Sequence, residues 1–175
     1  MLKKIISGGQ PGVEIAALDA AIKLNIPHKG WAYKRRKTEN GVLPEYDNVK
    51  EIGKPSYSER LEKNIIDSEG TVILTHGRLI LGSKIIKNLA DKHKKPCLHV
   101  DLSEYPLNRA ISLIRKWMIN NEIDTVYFTG SKPSGAPNIN EEVIQIIEGI
   151  CRTDTEHERL PGLRNQDDCA QTLPR

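Results

Sequence analysis

The first 24 residues restrict the fold more than any other part of the chain. Leu2 to Ser7 reads as a short strand that runs into Ser7-Gly8-Gly9-Gln10-Pro11-Gly12, and a helix begins at Val13. Its apolar stripe is Val13, Ala16, Ala17, Ala20, Ala21 and Leu24, the spacing of one helix face. The stripe is mostly alanine, and small side chains let a helix lie close against a sheet, as the first helix of a nucleotide-binding βαβ unit does.

The same alternation continues along the chain. Gly30-Trp31-Ala32 predicts a second strand, and residues 33–54, polar and without a clear period, predict a long loop. Ser56 and Glu59 match a capping box before a helix with Tyr57, Leu61 and Ile65 on one face. Thr71 to Leu74 predicts a buried strand, and Ile85, Ile86 and Leu89 mark a helix from about Ser83. Cys97 to Val100 is the next strand, followed by an amphipathic helix through Leu107, Ala110, Ile111, Ile114, Trp117 and Met118. Thr125 to Phe128 is the last strand, and Asn138 caps a final helix carrying Val143, Ile146, Ile147 and Ile150, with Glu141 completing a capping box. Strands alternating with helices imply a parallel sheet covered on both faces. The expected fold is a Rossmann-like three-layer α/β sandwich with a five-stranded, mainly parallel sheet over residues 1–150. Residues 151–175 are polar and aperiodic and read as a disordered tail.

Composition excludes several function classes. No apolar run approaches the roughly 20 residues needed to span a bilayer, and the N-terminal apolar stretch is too short for a signal peptide. The net charge of +3 is too small to argue for nucleic acid. Cys97, Cys151 and Cys169 lie far apart with no CxxC pair, so neither metal ligation nor a disulfide framework is expected. Reduced thiols point to the cytoplasm.

In a parallel sheet, ligands sit at the carboxyl ends of the strands. After the first strand, Gly8, Gly9, Gln10 and Gly12 form either a phosphate cradle at a helix N-terminus or a tight turn that binds nothing. The spacing is neither the dinucleotide GxGxxG nor a Walker A loop, and Pro11 has no N–H to donate. After the second strand, Lys34, Arg35, Arg36 and Lys37 form either an anion clamp or a solvated charged loop. After the third, Gly82-Ser83 supplies either further backbone donors or a simple N-cap, and His76 is an acid/base group without an evident partner. After the fifth comes another glycine loop, from Gly130 to Pro137.

Ser7-Gly8-Gly9-Gln10, Gly12-Val13, Ala16 to Ala21, Ile26-Pro27-His28 and Gly30-Trp31 together resemble the molybdenum cofactor carrier family. The resemblance continues through Lys34, Arg36-Lys37, Tyr57, Glu59-Arg60, Asn64, Asp67-Ser68, Gly82-Ser83, Lys95-Pro96-Cys97, Gly130 and Ala136-Pro137. That family belongs to a Rossmann-like superfamily that also holds lysine-decarboxylase-like phosphoribohydrolases. The resemblance implies a Rossmann-like fold, cytoplasmic location, homo-oligomers, and a pocket for a phosphorylated pterin or nucleotide such as the molybdenum cofactor. The implied contacts are Gly8, Gly9, Gln10, Gly12, Lys34, Arg36, Lys37, Gly82, Ser83 and Gly130. The chain departs from the family at Pro11, Glu14-Ile15, Ala32-Tyr33 and Ile80-Leu81. The hydrolase relatives carry a glutamate where this chain has Ile86, and isoleucine cannot do acid/base work on a glycosidic bond. A binding or carrier role is therefore expected before N-glycosidic hydrolysis, with no catalytic residue and no bound metal.

A chain ending at Cys151 is expected to keep its thermal midpoint within a few degrees of the full chain in scanning calorimetry. A large drop would show that the residues beyond pack on the domain or on a partner subunit.

Overall fold

Period-two alternation in the strands sorts side chains between two helical layers. Ile5, Val72, Leu74, Val126 and Phe128 pack with one set of helices, and Ile6, Ile73 and Tyr127 with the other. The computed structural model describes residues 1–33, 37–38, 41–42, 46, 48–53, 56–79 and 81–152; for 37–38, 41–42 and 81 it describes the backbone.

The sheet contains β1 (Lys4–Ile6), β2 (His28–Tyr33), β5 (Val49–Ile52), β6 (Gly70–Thr75), β7 (Cys97–Asp101) and β8 (Thr125–Gly130). Their order is β5-β2-β1-β8-β6-β7, and every neighbouring pair is parallel. A separate two-residue hairpin, β3 (Lys37–Thr38) with β4 (Gly41–Val42), lies between β2 and β5. The helices are α1 (Val13–Lys23), α2 (Tyr57–Asp67), α3 (Leu81–Lys92), α4 (Leu107–Asn120) and α5 (Ile139–Cys151). The first core contains Ala16, Ala17, Ala20 and Ala21 of α1, Ala110 and Ile114 of α4, and Val143, Ile146 and Ile147 of α5. The second contains Leu61 and Ile65 of α2 and Ile86 of α3. Among the described residues no helix is long and apolar enough to cross a membrane.

Three expectations need correction. The sheet has six strands rather than five, because Val49–Ile52 pairs with β2 from Gly30↔Val49 to Tyr33↔Ile52. Only Val49 and Ile52 of that strand are buried, and charged Lys50 and Glu51 between them erase the alternation that would have marked it. Such charges are usual on an edge strand. Second, α3 starts at Leu81, so Ser83 lies within its first turn and cannot be its N-cap. Third, Asn138 stands at the N-cap of α5 but makes no side-chain capping bond. The chain enters that helix through a tight turn, in which the Ala136 carbonyl accepts the Ile139 N–H at 3.1 Å. At α2 the Ser56 hydroxyl does accept the Glu59 N–H, at 3.2 Å. Of the expected tail, Cys151 closes α5, while residues 153–175 lie outside the described residues.

Strand contact also explains a glycine. A β-carbon on Gly30 would fall on the Ser7 carbonyl oxygen, whereas one on Gly53 would meet nothing within 4 Å among the described residues. Gly30→Ala is expected to lower unfolding free energy by about 3 kcal/mol, the upper range for overpacking. Gly53→Ala should stay within about 0.5 kcal/mol. Urea unfolding of both variants checks the contrast.

Candidate functional site

Strand order decides which loops meet. The helices after β1 and β8 pack on one face of the sheet, and α3, after β6, packs on the other. The connections therefore part at the carboxyl ends of β8 and β6, where a ligand crevice is expected in an open α/β sheet. A cleft of about 430 Å3 opens there, within the usual range for small-molecule sites. Gln10 and Pro11 reach it from the first loop, and Thr75, His76 and Arg78 from the end of β6. Thr129, Gly130, Ser131 and Lys132 come from the end of β8, and Gly82, Ser83 and Ile86 from α3.

The floor of the cleft holds a buried ion pair. Glu14, in the first turn of α1, is 4% exposed, and Arg60, on α2, is 3% exposed. Arg60 Nη1 donates to Glu14 Oε2 at 2.8 Å, and the Gln10 N–H donates to the same oxygen at 3.1 Å. Glu14 Oε1 accepts from the Tyr127 hydroxyl at 2.7 Å and the Thr129 hydroxyl at 2.9 Å. Four donors thus occupy one carboxylate. Burial alone would pull the Arg60 guanidinium down, but Glu14, then Tyr127 and Tyr33, outweigh it and raise it. Burial, reinforced by Glu14, also pushes the Tyr127 phenol well above its ordinary value. Tyr33 and Tyr57 stand over the guanidinium, with ring centroids 5.0 and 5.8 Å away.

This network reorganises the first glycine loop. The Gln10 N–H is engaged by Glu14, and the Gly9 N–H by the Ser7 hydroxyl oxygen at 3.2 Å. The Val13 N–H goes to the Ser131 carbonyl at 3.3 Å and the Ile15 N–H to the Gln10 carbonyl at 3.0 Å. The carboxylate of Glu14 therefore takes a donor that a bound anion would use. Gly8 leaves room for the ion pair, since a β-carbon there would overlap Arg60 and lie 2.7 Å from Glu14 Oε2. Gly12, at φ 95°, lets α1 start against the Ser131 carbonyl, onto which a β-carbon would fall. Of the sequence candidates, Gln10, Gly82, Ser83 and Gly130 line the cleft, while Gly8, Gly9 and Gly12 shape the loop beside it. Lys34, Arg35 and Arg36 lie outside the described residues, as does the side chain of Lys37.

His76 has a partner that sequence spacing does not reveal. Its Nε2 donates to Glu142 Oε2 of α5 at 2.6 Å, because a carboxylate can only accept. Its backbone N–H reaches the Ser131 hydroxyl oxygen at 3.4 Å. The loop is held from β7 by Asp101, whose Oδ1 accepts the Gly77 N–H at 2.8 Å. Burial pushes the Asp101 carboxyl up, but bonds from Ser103 and the Gly77 N–H outweigh it and hold the group below its usual range.

Sequence reading missed Glu14, Tyr33, Tyr57, Arg60 and Thr129 as members of the cleft. A signal for Arg60 was present. Tyr57, Arg60, Leu61, Asn64, Ile65 and Ser68 share one helical face, so a cation and an amide sit on the stripe that must be buried. Asn64 uses its amide to accept the Trp31 N–H at 2.8 Å and donate to the Trp31 carbonyl at 3.0 Å, just beyond the end of the β1–β2 ladder.

Glu14→Gln leaves the Arg60 charge buried without its counter-ion and is expected to cost about 3–5 kcal/mol of stability. The double variant Glu14→Leu/Arg60→Met should cost clearly less than the sum of its single changes. A double-mutant cycle by urea unfolding reads this coupling, and additive losses would refute it.

The chain matches the circularly permutated YpsA SLOG family over residues 5–151. It is also 40% identical to a protein of known crystal structure, the putative molybdenum carrier protein from Syntrophus aciditrophicus SB. That similarity covers 86% of this chain and 96% of the other, with a TM-score of 0.81. No curated protein matches. On the extent of the first match and the identity of the second, this chain belongs to the circularly permutated YpsA SLOG family.

Proposed function

We propose that the chain binds a phosphorylated pterin- or nucleotide-like molecule in this cleft and acts as its binding or carrier protein, the molybdenum cofactor being the cargo that the family resemblance implies beside a relative named as a molybdenum carrier. The observation that carries the reading is a sheet-edge cleft with cationic side chains and, among the described residues, no carboxylate free to act on a ligand. Arg78 and Lys132 line it beside Ser83, Ser131 and Ser134, a donor set suited to phosphate oxygens. The N-terminal turn of α3, with Gly82 and Ser83 on the cleft, adds backbone donors and a favourable dipole.

The donor set fits a phosphorylated pterin. Arg60 and Gln10 offer N–H groups for heterocycle acceptors, and the basic side chains suit its phosphate. When bound, such a cofactor would supply a dithiolene ligand for molybdenum; the residues here would hold and shield it. Self-association belongs to the same proposal and rests on the family relation.

N-glycosidic hydrolysis is the second reading, and two observations weigh against it. Ile86, at the position of the relatives' glutamate, lines the cleft and is 3% exposed. Among the described residues the carboxylate that lines the cleft, Glu14, already accepts four hydrogen bonds and has no capacity to activate water. Native mass spectrometry of protein purified from its own cells is expected to show a retained phosphorylated small molecule. Incubation with nucleoside monophosphates should give binding without release of ribose 5-phosphate. Sustained release would replace the carrier reading with the hydrolase.

A further inference from the structure

The two ends of the cleft differ in chemistry. At the β2 end, Tyr33 and Tyr57 flank Arg60, and a β-carbon on Gly82 would stand 2.8 Å from the Tyr57 hydroxyl. Two buried donors at this end have no acceptor among the described residues, Nε of Arg60 and Nε2 of Gln10. At the β6 end, His76 is held by Glu142, with Ser131 beside it and Arg78 and Lys132 on the same lining. Strands β1 and β8 lie between β2 and β6, so the two ends are separated by three strand spacings, roughly 14 Å.

We propose that the cleft reads its ligand from both ends: a planar heterocycle bearing acceptor atoms lies against Tyr57 and Tyr33 beside Arg60 and Gln10, and its phosphate lies on His76, Arg78 and Lys132. This rests on the reading that the cleft takes a phosphorylated heterocycle, and it adds the orientation and the residues that set it.

Charge decides the direction. Among the described residues, the positive charge at the β2 end is that of Arg60 and is already matched by Glu14, so a phosphate there would meet a neutral pair and approach a carboxylate. At the β6 end Arg78 and Lys132 line the cleft, whereas the carboxylates nearby lie off the lining and are engaged, Glu142 by His76 and Asp101 by the Gly77 N–H and Ser103. Tyrosine rings offer flat faces for stacking a heterocycle, which phosphate cannot use. Arg60 Nε and Gln10 Nε2 are N–H donors without acceptors among the described residues, so the ring edge that meets them carries carbonyl oxygens or ring nitrogens. At the other end, the Glu142 bond fixes His76 Nε2–H and leaves Nδ1 to meet the ligand, as a second donor in the imidazolium form.

Calorimetry with guanosine 5′-monophosphate, guanosine and inorganic phosphate separates the two ends, since guanine carries acceptors at O6 and N7. His76→Gln/Lys132→Ala should weaken the monophosphate at least about tenfold, the loss of a charge-assisted hydrogen bond, and leave guanosine within about twofold. Glu142→Gln should weaken the monophosphate by a smaller factor with guanosine again unchanged. Tyr57→Leu should weaken monophosphate and guanosine by similar factors and leave inorganic phosphate unaffected. Thermal midpoints confirm that each variant is folded. A His76/Lys132 variant that loses guanosine as much as the monophosphate, or a Tyr57→Leu variant that binds guanosine normally, overturns the orientation while the binding role stands. If the wild type binds neither the monophosphate nor a phosphorylated pterin, the binding role falls, and the orientation with it.

Discussion

The Glu14–Arg60 pair ties the molecule together because, among the described residues, it is where both helical layers and the sheet meet through charge. Glu14 belongs to α1, on one face, and Arg60 to α2, on the other. Tyr127 and Thr129 bring in β8, the strand between β1 and β6, and Gln10 brings in the first loop. Two charges at 3–5% side-chain exposure are costly to desolvate, and the attraction between them only offsets that cost when the remaining lone pairs are satisfied. Here all four bonds to the carboxylate are present. The pair therefore does less to add stability than to penalise any arrangement in which α1, α2 and β8 are not in register.

The geometry of the cleft follows from this constraint. Gly8 has no side chain because the ion pair occupies that space, and Gly12 has none because α1 must begin against the β8–α5 loop. The first glycine loop, which in other Rossmann-like folds presents its N–H groups to a phosphate, is largely engaged by Ser7, Glu14 and Ser131. In the proposed site the anion donors among the described residues come from the next strands in the sheet, through His76, Arg78 and Lys132 and the start of α3. That proposed site lies along the sheet edge at β8 and β6 rather than at β1, in keeping with the rule that ligands gather at carboxyl strand ends.

Much of the architecture was legible because it rests on local periodicity. The alanine stripe of α1, the short apolar runs of β6 and β8, and the Ser56 cap all express geometry within a few residues. Where competing chemistry hides the period, reading fails. Val49–Ile52 is an edge strand with two charged residues between its buried ends, so it looked like loop. Ser83 looked like a cap because serine favours that position, yet it is buried in the first turn of α3 on the cleft wall. Arg60 and Asn64 were visible as polar intruders on an apolar helix face, but what they answer lies on other elements.

The sequence by itself determined the α/β class, the order of strands and helices apart from β3, β4 and β5, and the placing of glycine loops after β1 and β8, since each depends on side-chain periods and turn residues that act over a few positions. Tertiary structure alone decided the strand order β5-β2-β1-β8-β6-β7, the union of Glu14 with a partner 46 residues away, and the union of His76 with Glu142, 66 residues away. Those outcomes depend on burial and charge compensation between elements distant in the chain, and no local pattern encodes which distant donor will meet a given carboxylate once water is excluded.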